Sequence, residues 1–206
     1  ITVTYGFELK EAPDSEEKII AKNKLCKLYH LENEVKILLF NGTLDYKPNL
    51  DAIEAILKYI NPLLLSNPDF KYKLIICGKG LPAVYDELKQ YKTANIIYAG
   101  FVDDINIYFK GADIFINPVL DGGGIKTKLV EALGYNLSSV STMSGAIGVP
   151  VAVTGKKLTV VYDNEWQNFV NAVITTDPKE NIPPGFFDHF YWGNIALKAA
   201  KFLDKM

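Results

Sequence analysis

Residues 112–142 have the sequence ADIFINPVLDGGGIKTKLVEALGYNLSSVST, in which two short runs flank a glycine triplet and an amphipathic segment. ADIFIN (112–117) is mostly apolar and ends at a proline, as buried strands often do, and SSVST (138–142) predicts a second strand. Between them, residues 125–135 carry apolar side chains at helical spacing. The stretch therefore predicts a strand, a glycine loop, a helix and a strand in succession.

The same alternation of strand and helix fills the chain before this unit. Three apolar runs predict strands: VKILLF (35–40), YKLIIC (72–77) and NIIYAG (95–100). Helical spacing follows each of them, over 50–65, from the GKGLP turn through Tyr91, and over 105–110. Strands that are apolar throughout and alternate with helices form parallel sheets covered on both faces. We predict an α/β fold with a doubly wound, Rossmann-like parallel sheet.

The two ends of the chain extend this pattern. Asp14 or Ser15 is a suitable cap for a first helix, and residues 1–13 before it predict an extended, linker-like entry. Towards the end, PVAVTGKKLTVVYD predicts further short strands, NEWQNFVNAVITT a helix, and residues 186–206 a closing helix. No linker divides the chain, so we predict one domain over 1–206.

Composition excludes several classes of function. The 206 residues carry a formal charge of −2 and a pI near 5.8, which gives no basic surface for nucleic acid. Cys26 and Cys77 are too few for a disulfide framework and favour a reducing compartment. No run is long and apolar enough to predict a transmembrane segment. We predict a cytoplasmic protein.

The glycine-bearing turns follow the predicted strands, where ligands bind in open parallel sheets. The triplet Gly122–Gly124 leaves backbone N–H groups bare before a helix, an arrangement suited to phosphate. Lys126 and Lys128 add positive charge where the helix dipole disfavours it, and an anion would compensate. Glu131, further along the same helix, could accept sugar hydroxyls. The alternative is a surface helix on which Lys128 and Glu131 merely pair.

Three segments carry a resemblance to a known family. The segments are residues 112–142, the stretch VKILLFNGTLDYKPNLDAIEAIL, and KLIICGKG with the strands after it. They resemble the C-terminal, donor-binding domain of GT-B glycosyltransferases of the family 4, or group 1, kind. The resemblance is to the subgroup whose first turn has the pattern Gly-x-x-Asp-Tyr-x-Pro-Asn. It implies binding of a nucleotide diphosphate sugar and transfer of the sugar to a hydroxyl in glycan or polysaccharide biosynthesis.

The resemblance also implies roles for individual residues. Glu131 would bind the ribose, and Val102 would meet the base through its backbone. The diphosphate would lie against Gly42, Thr43, Gly122, Gly123, Gly124, Ile125, Lys126, Thr127 and Lys128. Leaving-group stabilisation would fall on Lys126 or Lys128, with Lys47 the nearest cation of the first turn. Many relatives have a second glutamate where this chain has Gly123, so the residue that contacts the transferred sugar is left open.

The resemblance implies two separate halves in a complete enzyme. This chain begins with Ile1 rather than Met and matches the donor half, so we expect the acceptor-binding N-terminal domain to be its missing partner. We expect a retaining transfer, little activity from this half alone, and a peripheral membrane contact, if any, through the other half. The chain has no Asp-x-Asp pair, which favours a metal-independent reaction with no cofactor beside the donor substrate.

The sequence raises four alternative functions. Gly78-x-Gly80-x-x-Ala83 follows a strand and formally fits a dinucleotide fingerprint, but Pro82 removes an N–H where phosphate would need it. A P-loop is excluded because Gly-Lys-Ser/Thr does not occur. A sugar-nucleotide epimerase half and a non-catalytic sugar-nucleotide-binding or interaction module stay open.

Overall fold

The predicted apolar runs form one sheet of six parallel strands in the computed structural model, which describes residues 4–204. The strands are β1 (Lys36–Asn41), β2 (Tyr72–Cys77), β3 (Ile96–Gly100), β4 (Ile114–Asn117), β5 (Ser138–Thr142) and β6 (Leu158–Val161). Their order across the sheet is β3-β2-β1-β4-β5-β6. This is the doubly wound order, and it confirms the predicted fold class.

Helices connect the strands and cover both faces of the sheet. They are α1 (Ser15–Tyr29), α2 (Lys47–Ala55), α3 (Asn61–Leu65), α4 (Ile105–Gly111), α5 (Thr127–Gly134), α6 (Val151–Thr154), α7 (Trp166–Thr175), α8 (Gly185–Phe190) and α9 (Trp192–Leu203). A π-helical turn joins α2 to α3, so the two run on as one helical stretch. In the described part of the chain, no helix is both long enough and apolar enough to cross a bilayer.

Three predicted elements differ in the structure. The segment expected to be a helix through Tyr91 consists of 3₁₀ turns over Ala83–Ala94, broken at residues 86–88, which all have positive φ. The stretch after Pro150 gives only one strand, β6, because its first part forms the helical turn α6. The closing helix is two helices, because the extended backbone of Tyr191 separates α8 from α9.

Alternate side chains of each central strand enter opposite cores. In β1, Ile37 and Leu39 pack towards the core formed with α1, α4, α5 and α8, while Leu38 and Phe40 pack towards α2, α3 and α7. All four side chains are fully buried. Burial on both faces explains why these strands are apolar throughout, and it fixes the strand ends on which the loops are mounted.

The entry segment is attached to the closing helices by backbone hydrogen bonds. The N–H of Phe7 donates to the carbonyl of Phe190 (2.9 Å), and the N–H of Trp192 donates to the carbonyl of Phe7 (3.2 Å). The Phe7 ring is buried and packs against Phe186 and Phe187. Residues 4–13 are therefore fixed on the domain; the first three residues of the predicted entry lie outside the described residues.

We expect Gly134→Ala to destabilise the domain, although alanine ordinarily favours a helix. A Cβ at Gly134, the last residue of α5, would lie 2.0 Å from a ring carbon of the buried Phe7. Overpacking of this kind costs about 1 to 3 kcal/mol in the free energy of unfolding, measurable by urea denaturation. Gly185→Ala is the matched control, because a Cβ there meets nothing within 4 Å. Equal stability of the two variants would contradict this packing.

Candidate functional site

A cavity of about 330 Å³ opens where the strand order reverses, between the carboxyl ends of β1 and β4. Ligands bind at such a switch point in open α/β sheets because loops and helix N-termini diverge there. The cavity is lined by residues of three segments: Asn41, Gly42, Thr43, Tyr46, Pro48 and Asn49 after β1, Val119, Asp121, Gly122, Gly123, Ile125 and Lys126 after β4, and Thr127, Lys128 and Glu131 of α5.

The glycine loop is held closed by one of its own lysines. The Lys126 ammonium donates to the carbonyl oxygens of Gly122 (2.5 Å) and Gly124 (3.1 Å). Gly122 and Gly124 have φ values of 100° and 68°, which side chains other than glycine rarely adopt. A Cβ at Gly122 would also lie 3.3 Å from the Tyr46 hydroxyl. The glycines therefore serve both the turn and the close approach of the two loops.

Helix α5 points its N-terminus at this cavity. It begins at Thr127, later than the predicted Ile125, and Lys126 precedes it with extended backbone and no side-chain cap. The first amides of a helix have no acceptor within the helix. Thr127 and Lys128, the first two residues of α5, both line the cavity. The partial positive charge of these amides favours an anion.

Lys128 is a half-buried residue of the cavity, and its ammonium lies against the fully buried ring of Phe40. Its ammonium donates to the Asn41 carbonyl (3.1 Å) and the Asn49 side-chain oxygen (2.6 Å), and lies 4.3 Å from the centre of the Phe40 ring. Within residues 4–204 no carboxylate forms an ion pair with it. Burial, together with the nearby charge of Lys126, lowers the pKa of Lys128 to about 7. A charge buried without a counterion is costly unless an anion joins it.

Glu131 lies one turn further along α5, half-buried in the same cavity. Its Oε1 accepts a hydrogen bond of 2.7 Å from the hydroxyl of Tyr5, in the entry segment. Burial raises the pKa of Glu131, and the bond from Tyr5 opposes that shift. Lys128 and Glu131 have separate partners, so the pairing considered as the alternative for these two residues does not form.

Among residues 4–204, two amide oxygens at strand ends are buried without a hydrogen-bond partner. They are the Oδ1 atoms of Asn41, which ends β1, and Asn117, which ends β4. The amide nitrogen of Asn117 is satisfied by Ser141 and Gly145, at 3.0 Å each. Native proteins leave few buried acceptors unpaired, and those that occur call for an explanation. Both lie on the edge of the sheet where the cavity opens.

The structure brings most of the predicted site residues together and leaves three outside. Lys47, Val102 and Gly124 do not line the cavity. The Lys47 side chain is 82% exposed and pairs with Asp51 at 2.8 Å. Val102 packs against the core after β3, at the far edge of the sheet. The roles predicted for the residues inside the cavity stay predictions, which the geometry makes testable.

Several lining residues were not predicted as site residues. Asn49 is the most informative of them, because its amide donates to the Thr43 carbonyl (2.9 Å) and its oxygen accepts from Lys128 (2.6 Å). It thereby joins the first glycine turn to α5. The sequence held an indication of this, since Asn49 is the last residue of the first-turn pattern. Tyr46 belongs to the same pattern, whereas Asp121 and the Glu131 partner Tyr5 had no such indication.

The glycines of the dinucleotide-like pattern serve the fold in another way. A Cβ at Gly78 would lie 1.9 Å from the Gly42 carbonyl oxygen, and a Cβ at Gly80 would meet the Asp45 carboxylate at 2.8 Å. The segment that follows them is the broken 3₁₀ stretch rather than an α-helix. These glycines pack the β1 and β2 loops together, and no regular helix N-terminus lies behind them to hold a pyrophosphate.

A larger hollow, of about 670 Å³, lies elsewhere, between the end of α1, the edge strand β3 and the 3₁₀ segment. Its lining includes Lys73, Lys89 and Lys92, but neither the glycine triplet nor the start of α5. Volume therefore favours the hollow beside β3, whereas strand topology, the uncapped start of α5 and Lys128 favour the cavity between β1 and β4. We place the functional site at the smaller cavity, because chemistry converges there.

We expect the free energy of unfolding to rise between pH 7 and 8.5. Burial lowers the pKa of Lys128 and of Lys157 to about 7, whereas an unfolded lysine titrates near pH 10.4. Over this window the folded chain loses protons that the unfolded chain keeps, so stability increases, by about 1 to 2 kcal/mol for each lysine.

Urea denaturation across this window checks the expectation. Above about pH 8.5 the rise should become less steep, because burial raises the pKa of Cys77 to about 12, and the unfolded thiol ionises while the folded one keeps its proton. Lys128→Met should remove about half of the rise, since Lys157 remains. A free energy of unfolding that stays flat or falls between pH 7 and 8.5 would show that burial does not lower the pKa values of these two lysines.

Comparisons with known proteins agree with the geometry. A family model described as Glycosyl transferases group 1 matches residues 35–176. An uncharacterised 44.6 kDa protein of the cps region of Klebsiella pneumoniae is 31% identical over 118 residues, which are 54% of this chain and 30% of that protein. The chain thus spans under a third of that relative.

Solved structures share the fold at low sequence identity. A glycosyltransferase from Rickettsia africae superposes with a TM-score of 0.72 at 13% identity, over 100% of this chain and 56% of that one. Anabaena HepE in complex with UDP-glucose gives a TM-score of 0.69 at 16% identity, over 98% and 56%. The chain spans about half the length of these glycosyltransferases. Because the family model covers more than half of the chain, the chain belongs to the group 1 glycosyl transferases.

Proposed function

We propose that this chain is the C-terminal, donor-binding half of a retaining, metal-independent glycosyltransferase. Its cavity at the switch point binds the nucleoside diphosphate of a nucleotide-sugar donor. The observation that carries the proposal is the half-buried Lys128, whose ammonium meets no carboxylate within residues 4–204, beside the uncapped N-terminus of α5. Both features favour a multiply charged anion at the same place.

The spacing along α5 fits a diphosphate followed by a ribose. Glu131 comes four residues after Thr127, which is about 6 Å along the helix axis. Phosphate oxygens at the first amides would therefore place a pentose beside the carboxylate. The second oxygen of Glu131 has no hydrogen-bond partner among residues 4–204, and it can accept a ribose hydroxyl. The family of the chain and the UDP-glucose complex of HepE support this choice of ligand.

The same groups would assist departure of the diphosphate. As the bond between sugar and diphosphate breaks, negative charge grows on the departing oxygen. Helix amides and the Lys128 ammonium are already in place to stabilise that charge. Lys126 contributes by holding the loop shape, since its ammonium is bound to loop carbonyls. The hydroxyl acceptor would be held by the N-terminal half, and these residues supply no general base for it.

A non-catalytic sugar-nucleotide-binding module is the second candidate. Gly123 stands where many relatives have a glutamate, and a Cβ there would meet nothing within 4 Å. The transferred sugar would have open space at this point instead of a carboxylate. Donor binding is common to both candidates, whereas sugar transfer by the complete protein distinguishes them. Product analysis of that reaction also separates a transferase from a sugar-nucleotide epimerase.

Thermal unfolding with UDP, GDP and ADP tests the binding proposal. A ligand selective for the folded state stabilises it by mass action, by about 2.7 kcal/mol at one hundred times its dissociation constant. We expect one of the three nucleotides, at about 1 mM, to raise the melting temperature by several degrees. Inorganic phosphate at the same concentration is the control for a general anion effect. No shift with any nucleotide would contradict the proposal.

A further inference from the structure

Tyr5 reaches the candidate site from the other end of the chain. It lies 126 residues before Glu131, and its hydroxyl donates the 2.7 Å hydrogen bond to Glu131 Oε1. Among the described residues this is the one side-chain hydrogen bond that Glu131 accepts. Tyr5 itself does not line the cavity. It therefore contacts the carboxylate as a residue that lies outside the cavity lining.

The Tyr5 side chain is held by packing as well as by its hydroxyl. Its ring meets Trp192 edge to face, with centroids 6.0 Å apart and planes at 67°. Two residues later, the backbone of Phe7 is bonded on both sides to the closing helices. A Cβ at Gly6 would lie 2.8 Å from the Phe190 carbonyl, so the chain between them is packed closely. The hydroxyl is thus presented by a fixed segment.

The direction of the hydrogen bond follows from the protonation of the two groups. Burial, and the bond to Glu131, raise the pKa of Tyr5 far above neutrality, so its hydroxyl keeps its proton and donates. The carboxylate accepts through Oε1, which leaves Oε2 for another donor. A carboxylate fixed by a second residue loses less rotamer freedom when a ligand binds.

We propose that Tyr5 is a positioning residue for donor binding: it holds one oxygen of Glu131 so that the other accepts the ribose hydroxyls. This inference rests on the proposed function and extends it. Because Tyr5 belongs to the entry segment, nucleotide affinity then depends on how that segment sits against α9. A ligand that binds only when Glu131 is oriented stabilises the contact between Tyr5 and Glu131. Loosening of the entry segment lowers the affinity for that ligand in return.

Tyr5→Phe tests the proposal, because it removes the hydroxyl and keeps the ring on Trp192. We expect the dissociation constant for UDP, GDP or ADP, whichever binds the unchanged protein most tightly, to rise about tenfold by calorimetry, as for the loss of one hydrogen bond to a charged group. Tyr29→Phe is the matched control, since it removes a 2.7 Å hydroxyl contact with Tyr108 outside the cavity. Thermal unfolding of both variants establishes that they fold.

The pH dependence of binding separates positioning from a structural effect. The titratable groups facing Glu131 are Tyr5 from the entry segment and Tyr135 from the end of its own helix, and Lys126 and Lys128 line the same cavity. Removal of the Tyr5 hydroxyl leaves burial unopposed, so Glu131 takes up a proton at higher pH. On acidification, Tyr5→Phe should lose affinity for the nucleotide at a higher pH than Tyr29→Phe does. Protonation of the nucleotide itself affects both variants equally.

A double variant keeps this proposal distinct from the proposed function. If Tyr5 acts through Glu131, then adding Tyr5→Phe to Glu131→Ala should change affinity no further. Unchanged or tighter binding by Tyr5→Phe, with Glu131→Ala still weak, would overturn the positioning role alone. Unchanged binding by Glu131→Ala would overturn the ribose role and, with it, the positioning role of Tyr5. Absence of nucleotide binding by the unchanged protein would overturn the proposed function itself.

Discussion

Lys128→Met should weaken binding of the nucleoside diphosphate about 30- to 150-fold while making the ligand-free domain more stable. The loss of affinity corresponds to about 2 to 3 kcal/mol, as expected for removal of a charge-assisted hydrogen bond to phosphate. The gain in stability, about 1 to 4 kcal/mol, comes from removing a desolvated cation that forms no ion pair within residues 4–204. Its acceptors Asn41 and Asn49 are only half-buried, so water can replace the ammonium. A substitution that lowers ligand affinity and raises the free energy of unfolding indicates a residue retained for function.

Calorimetry and urea denaturation at pH 6 and 8.5 measure the two effects. Below pH 7 the folded and unfolded chains both carry the Lys128 proton, so the cost of burying the charge is present in full. The stability gain of Lys128→Met should therefore be larger at pH 6 than at pH 8.5. Lys47→Met is the control, because that lysine is exposed, paired with Asp51 and outside the cavity. Equal nucleotide affinity of the two variants would contradict the role given to Lys128.

Glu131→Ala should weaken nucleoside diphosphate binding by about 1.5 to 3 kcal/mol, the range for hydrogen bonds to a charged acceptor. The variant should fold normally, because burial already disfavours the charged carboxylate in the ligand-free domain. Inorganic pyrophosphate provides a second readout. It has no ribose, so its affinity should be the same for Glu131→Ala and for the unchanged protein.

Calorimetric titration of both ligands checks this pattern. Glu54→Ala is the matched control, a helix glutamate bonded to Lys58 and Tyr85 away from the cavity. Loss of pyrophosphate affinity along with nucleotide affinity would show that the substitution distorts the phosphate site. A nucleotide dissociation constant unchanged by Glu131→Ala would remove the ribose contact from the account.

The fold could be predicted from the sequence where burial dictates residue type. Strands β1, β2 and β4 lie buried on both faces, so their composition alone indicates a parallel sheet. The segment Ala83–Ala94 could not be predicted, because Asp86, Glu87 and Leu88 take left-handed conformations that neither spacing nor propensity indicates. The break at Tyr191 is likewise set by tertiary contacts, since the backbone there meets Phe7.

Residue types alone indicated the candidate site where one segment carries it, and the family resemblance added Gly42 and Thr43 from the first turn. The glycine triplet, Lys128 and Glu131 lie within one loop and helix, and their types and order indicate an anion followed by a hydroxyl donor. The Lys128 partner Asn49 and the Glu131 partner Tyr5 come from other elements, 79 and 126 residues away along the chain. Side-chain pairs of that separation are decided by packing, which a single sequence does not display.

A crystal structure of the chain with its tightest-binding nucleotide tests the central claim most directly. The account predicts diphosphate oxygens at the amides of Thr127 and Lys128 and at the Lys128 ammonium, with ribose hydroxyls on Glu131. Density for the nucleotide in the larger hollow beside β3, with the start of α5 untouched, would contradict it.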